Sequence, residues 1–181
     1  MRRKKEIIYA FIDSQNLNLG IRNDIPGRRG RLLYEGWELD FKKLRTYLTE
    51  KYDVEIAYLF LGYVRKNKKL YDHLKQSGFE IIFKPTLKHK SSGKTKTKGN
   101  VDTEIVLFVA AKLISQFDKA IIISGDGDFY CLYQFLIEKQ KLGKILIPNK
   151  NSYSSLLREF APYIDYISNK RNILEKQKGG H

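Results

Sequence analysis

The stretch Ile121–Leu132, IIISGDGDFYCL, decides how the rest of the chain is read. Its β-branched run predicts a buried strand over Ala120–Ser124, and the apolar spacing after it predicts a helix from Phe129 to Lys139. Between them the chain places Gly125 and Gly127, which would let the backbone turn sharply, and two carboxylates, Asp126 and Asp128. One aspartate can serve as a turn residue and the other as a helix cap. Both can also belong to a feature that needs concentrated negative charge in a basic protein.

Working outward, short β-rich runs alternate with helical patterns, the signature of βαβ units around a parallel sheet and hence of an α/β fold. Strands are predicted at Ile7–Ile12, Val54–Leu61, Phe79–Phe83, Lys144–Ile147 and, briefly, Tyr163–Ile167. Helices are predicted from the Asp40 cap to about Glu50, over Lys66–Gln76 with Gly78 ending it, from Val101 to Phe117, and over Tyr153–Phe160. Two connections, Gly20–Glu38 and Pro85–Asn100, are long for such a fold, and long connections are commonly functional or mobile. Residues 1–170 read as one domain, with no internal repeat and no dividing linker. Residues 171–181, ending KQKGGH, read as a disordered tail.

The 181 residues are enough for one domain with a core, and 42% hydrophobic with 30% charged residues fits an ordered globular chain. No apolar stretch nears the roughly 18 residues of a membrane span, Ile105–Ala111 being the longest candidate. The start, MRRKKEIIYAFID, is basic then apolar, but Glu6 and Asp13 interrupt it and argue against a signal peptide. A single cysteine, Cys131, excludes an internal disulfide framework and a cysteine zinc site; it reads as a small buried residue in a cytoplasmic protein.

The net charge of +14 exceeds what solubility requires and points to a polyanionic partner, nucleic acid being the commonest. The cations cluster: Lys84, Lys88, Lys90, Lys94, Lys96 and Lys98 in one polar stretch, Arg28, Arg29 and Arg31 in another, and residues 2–5 in a third. Against this stands a generically basic surface, or one that binds ribosomes or anionic lipid.

Open parallel sheets bind ligands outside the carboxyl ends of their strands. Asp13 ends the first strand, Asp126 follows the fourth, Asp128 starts the next helix, and Asp102 opens the long apolar helix. Asp102 and Asp128 are each credible as helix caps alone. Together, carboxylates from three separate segments on one rim would repel one another without a counter-charge, and a hard divalent cation with several oxygen ligands supplies it best.

The segments FIDSQNLN, KGNVDTEIVL and IIISGDGDFYCLYQFLIEKQKLGKILIP resemble the three motif blocks of NYN domains, within the PIN-like superfamily of metal-dependent nucleases. The resemblance covers about residues 7–167. It implies a three-layer α/β/α sandwich with a central, mainly parallel sheet and an acidic pocket for Mg2+ or Mn2+. The family's acids match Asp13, Asp102, Asp126 and Asp128, and its polar residue after the first strand matches Asn16. Thr103 stands where some members carry a second acid, with Glu104 pointing elsewhere on the helix, which leaves one metal or two open.

On this basis Asp13 and Asp126 are expected as direct metal ligands, and Asp102 and Asp128 as ligands directly or through water. Asn16 is expected to orient water or touch substrate, or simply to start a helix; Ser124 supports the pocket or ends its strand. The expected activity is phosphodiester hydrolysis, with RNA as favoured substrate, single-stranded or structured, and an endoribonuclease favoured. The lysine stretch guides the strand through salt-sensitive phosphate contacts. Tyr34 and Trp37 can stack an unpaired base, or Trp37 can pack under the first helix, which is preferred. His73 reads as a helix-surface residue. The competing expectation is an NYN-like module that binds RNA or a protein partner without cleaving; among partners, a homodimer or another protein is left open beside nucleic acid.

Overall fold

The computed structural model describes residues 5–84, 87–91, 94–98 and 101–177, the side chains of 87–91, 94–98 and 101 excepted. In chain order the elements are β1 (Ile8–Asp13), α1 (Ser14–Arg22), β2 (Ile25–Pro26), β3 (Leu32–Tyr34), α2 (Phe41–Tyr52), β4 (Val54–Gly62), α3 (Lys68–Gln76) and β5 (Phe79–Lys84). There follow β6 (Leu87–Ser91), β7 (Lys94–Lys98), α4 (Val101–Leu107), β8 (Lys119–Ile123), α5 (Tyr130–Glu138), β9 (Leu142–Ile147), β10 (Ile164–Tyr166) and α6 (Arg171–Leu174).

Six strands form one parallel sheet in the order β10-β9-β8-β1-β4-β5. Side chains alternate across a strand, so β1 feeds two cores at once. Ala10 and Ile12 join Leu44, Leu48 and Leu59 on one face, while Tyr9 and Phe11 join Ile105, Val109 and Tyr133 on the other. Burial on both faces explains why the central strands are almost unbroken apolar runs. This is the expected α/β/α sandwich.

The chain runs from β1 outward to β4 and β5, then returns to place β8 on the other side of β1. That reversal opens a crevice at the carboxyl ends of β1 and β8.

Five departures from the sequence expectations have physical causes. Ser14–Arg22 is a helix, although its sequence SQNLNLGIR is mostly polar, because Leu17 and Ile21 are enough to seat it. Both long connections contain two-stranded antiparallel hairpins, β2–β3 and β6–β7. The helix expected to reach Phe117 ends earlier: α4 continues as a π-helical turn over Phe108–Lys112, after which Phe117 packs edge-on against Phe11. Cys131 is exposed, not buried, because α5 buries the stripe Leu132, Tyr133 and Leu136 and turns Cys131 away. Residues 171–177 are not a disordered tail: α6 buries Leu174 and Glu175 bridges to Leu39. Residues 178–181 lie outside the described residues.

Candidate metal centre

Asp13, the last residue of β1, is 4% exposed and caps α1, its Oδ1 accepting the N–H groups of Gln15 and Asn16, each at 3.1 Å. Asp126 plays the same part after β8, its Oδ1 accepting the Asp128 N–H at 3.0 Å to start a short 3-10 turn over Gly127–Phe129. Asp102 lies in the first turn of α4. Both capping carboxylates therefore spend Oδ1 on backbone.

Carboxylate oxygens of Asp102, Asp126 and Asp128 lie within 4.8 Å of one another. Asp13 does not join this trio but stands beside it, close enough for its charge to act on Asp102. Burial raises the Asp102 carboxyl above its ordinary 3.8, and repulsion from Asp13, Asp126 and Asp128 adds to the effect, with Lys84 opposing it. Asp13 is also raised, burial again first, against the N–H groups it accepts and the charge of Lys84. Acids that must share charge in this way are held ionised by a cation.

The donor set fits a hard divalent ion, being all oxygen and carrying surplus negative charge. Two buried groups bear on the same pocket. Lys84 is 3% exposed, and its Nζ has no hydrogen-bond partner among the described residues. Burial drops its pKa to about 8 despite Asp13, Asp102 and Glu104 around it. Beneath the acids, the buried Tyr133 hydroxyl also lacks a partner among the described residues, and its pKa is raised by burial and then by Asp126 and Asp13.

Lys84 therefore corrects its sequence assignment: it is a buried cation facing the acids, not part of a solvated phosphate-guiding stretch. Its register explains this, since Lys84 pairs with Gly62 and shares strand parity with Ile82, on the α4 face. Sequence reasoning missed Tyr133 altogether. Its signal is the i+3, i+4 spacing after Phe129 that puts it on the inner stripe of α5.

Asn16 Oδ1 accepts the Gly125 N–H at 2.8 Å, so it braces the loop that carries Asp126. Ser124 is fully buried and its Oγ accepts the Asp126 N–H at 3.2 Å, a local support. Gly125 and Gly127 do not adopt positive φ. A Cβ on Gly127 would meet Ser154 Oγ at 2.5 Å, so glycine is needed there for the close approach of residues 152–156, not for a turn. That segment and Asn16 wall an open groove over Asp126 and Asp128.

The other sequence candidates lie elsewhere. Arg28, Arg29 and Arg31 are exposed at the tip of the β2–β3 hairpin and contribute nothing to this groove. Lys88, Lys90, Lys94, Lys96 and Lys98 fall on the β6–β7 hairpin, whose side chains lie outside the described residues, as do residues 2–4 of the N-terminal basic cluster. Trp37 packs in the core, which removes it as a stacking surface, and Tyr34 rests half-buried against the same core with its hydroxyl donated to the Ile21 carbonyl at 2.8 Å. His73 is exposed on α3, as expected.

Residues 8–168 match the family model of the NYN domain. The chain belongs to the NYN domain family. No curated protein matches the sequence. Among solved structures, a protein of unknown function from Vibrio parahaemolyticus shares the fold at a TM-score of 0.68 and 24% identity, over 92% of this chain and 96% of that one. NYN membership places the chain with the PIN-like nucleases and agrees with an acidic cluster at the carboxyl edge of the sheet. No helix among the described residues is long and apolar enough to cross a membrane.

Proposed function

We propose that this chain is a divalent-metal-dependent nuclease that hydrolyses phosphodiester bonds, with RNA as its favoured substrate and endonucleolytic cutting as its favoured mode. The observation that carries the proposal is the convergence of Asp102, Asp126 and Asp128 within 4.8 Å, next to a buried Lys84 whose Nζ has no hydrogen-bond partner among the described residues.

Asp102, Asp126 and Asp128 would hold Mg2+ or Mn2+. When bound, such an ion lowers the pKa of a coordinated water and offsets charge on the phosphate. Asp13 keeps Oδ2 free of its capping bonds, and that oxygen is the acceptor for a proton from the attacking water. Lys84 Nζ, enclosed beside Asp13 and Asp102, supplies the fixed positive charge that favours the ionised form of both acids. Asn16 holds the Asp126 loop against α1.

The test is a cleavage time course on end-labelled single-stranded RNA, structured RNA and single-stranded DNA. Each is run with manganese, with magnesium and with chelator, beside Asp126→Asn. Metal-dependent cutting that the variant loses supports the proposal. Binding without cutting, unchanged in the variant, replaces it with a silent RNA-binding module.

A further inference from the structure

Tyr63 directly follows β4 and Phe83 is the penultimate residue of β5, at the same carboxyl edge of the sheet as the acids. Their rings meet edge to face at 5.3 Å and remain 51% and 39% exposed. Tyr71 of α3 supports them from below: its ring lies 4.9 Å from Phe83, and its hydroxyl accepts the Val64 N–H at 2.7 Å. Isolated exposed rings are ordinary, but these form one fixed shelf at a strand end.

The chain continues from this shelf as RKNKK. Arg65, Lys66, Lys68 and Lys69 are all exposed, and none enters an ion pair among the described residues. No acid occurs from Tyr63 to Tyr71. An apolar ring surface beside uncompensated cations is complementary to a ligand with flat π-faces on a polyanionic backbone. Duplex ends aside, only an unpaired strand offers its base faces in that way.

We infer that Tyr63 and Phe83 form a stacking site for an unpaired base, with Arg65, Lys66, Lys68 and Lys69 holding the adjoining phosphates, so that the protein selects single-stranded nucleic acid. The site spans the ends of the first and second strands beyond β1, about 5–10 Å from β1 at ordinary strand spacing. Phe83 shares strand parity with Phe79 and Ile81, on the face opposite α4, so a strand stacked there would cross the carboxyl edge of the sheet to enter the acid pocket. The substrate class rests on the nuclease proposal; the binding site does not.

The test measures binding of a fluorescent single strand, its duplex, and the same strand with abasic sites, all in chelator so that nothing is cut. Tyr63→Ala is expected to weaken single-strand binding about fivefold or more and leave duplex binding unchanged. Tyr63→Trp retains affinity, and Phe83→Leu repeats the loss from the second ring. Abasic sites weaken the wild type and cost Tyr63→Ala little more. Equal losses on single strand and duplex, no loss with a folded variant, or a wild type that prefers duplex overturns the inference. Aromatic-dependent binding without metal-dependent cutting removes the nuclease proposal and keeps this site; cutting indifferent to Tyr63 and Phe83 does the reverse.

Discussion

Asn16 Oδ1 accepts the Gly125 N–H at 2.8 Å, joining the first turn of α1 to the loop after β8 across the point where the chain reverses its order in the sheet. Asn16→Ala removes an interaction of about 1 kcal/mol and should lower Tm by about 2–4 °C. If the bond positions Asp126, manganese stabilisation should fall by more than this loss explains. A Tm titration with manganese, run on both proteins, separates the two effects. Unchanged manganese affinity would leave Asn16 a merely local brace.

Asp102 makes a prediction of opposite sign. Its folded pKa lies above 3.8, because burial and its acidic neighbours oppose the charged form. Its relative contribution to stability is thus present at pH below 3.8 and lost as pH rises through the higher folded value. In chelator at neutral pH, Asp102→Asn should melt higher than wild type, and the gap should close on acidification. Manganese should raise the wild-type Tm and leave the variant unmoved. A variant that melts lower at neutral pH in chelator would show that the acids are not in conflict.

Much of this was legible in the sequence because the parallel strands are buried on both sides, so IYAFID, VEIAYLFLG and KAIII read as strands without tertiary knowledge. Asp102, Asp126 and Asp128 could be placed on one rim from strand ends alone. Asp13 could be placed there too, but not its near-complete burial or its position beside the trio instead of within it. Lys84 was misread because composition puts it with the other lysines, whereas its burial comes from β4 and α4 closing over it. The stacking site was missed for a similar reason: Tyr63 and Phe83 are twenty residues apart in round terms and meet only through strand pairing.

Lys84 can be isolated by pH. Its pKa falls from an ordinary 10.5 to about 8, burial being the main cause. The unfolded chain therefore binds the extra proton between these values, and stability rises with pH across that window, most of it lost again as pH falls through about 8. Lys84→Met should abolish this rise, read as the difference between the two Tm profiles in chelator. Cleavage should also fall, because Asp13 and Asp102 lose their fixed counter-charge. A flat difference between the profiles would mean that the ammonium is solvated.

The C-terminal segment gives the last prediction. Leu174 is 1% exposed in the core that also holds Leu39 and Leu44. Its carbonyl accepts the Asp40 N–H at 2.9 Å, and the Lys176 N–H donates to the Glu38 carbonyl at 2.8 Å. These bonds fix the residues that cap and precede α2, on the face of the sheet opposite α4. Leu174→Ala should therefore cost about 2–5 kcal/mol in urea unfolding, the range for a buried leucine. Manganese affinity should not change, because the trio hangs from α4 and the β8–α5 loop on the other face. Truncation after Lys170 should cost at least as much. If the truncated chain unfolds at the wild-type midpoint, the segment only rests on the domain; if it also loses manganese, the two faces are coupled through β1.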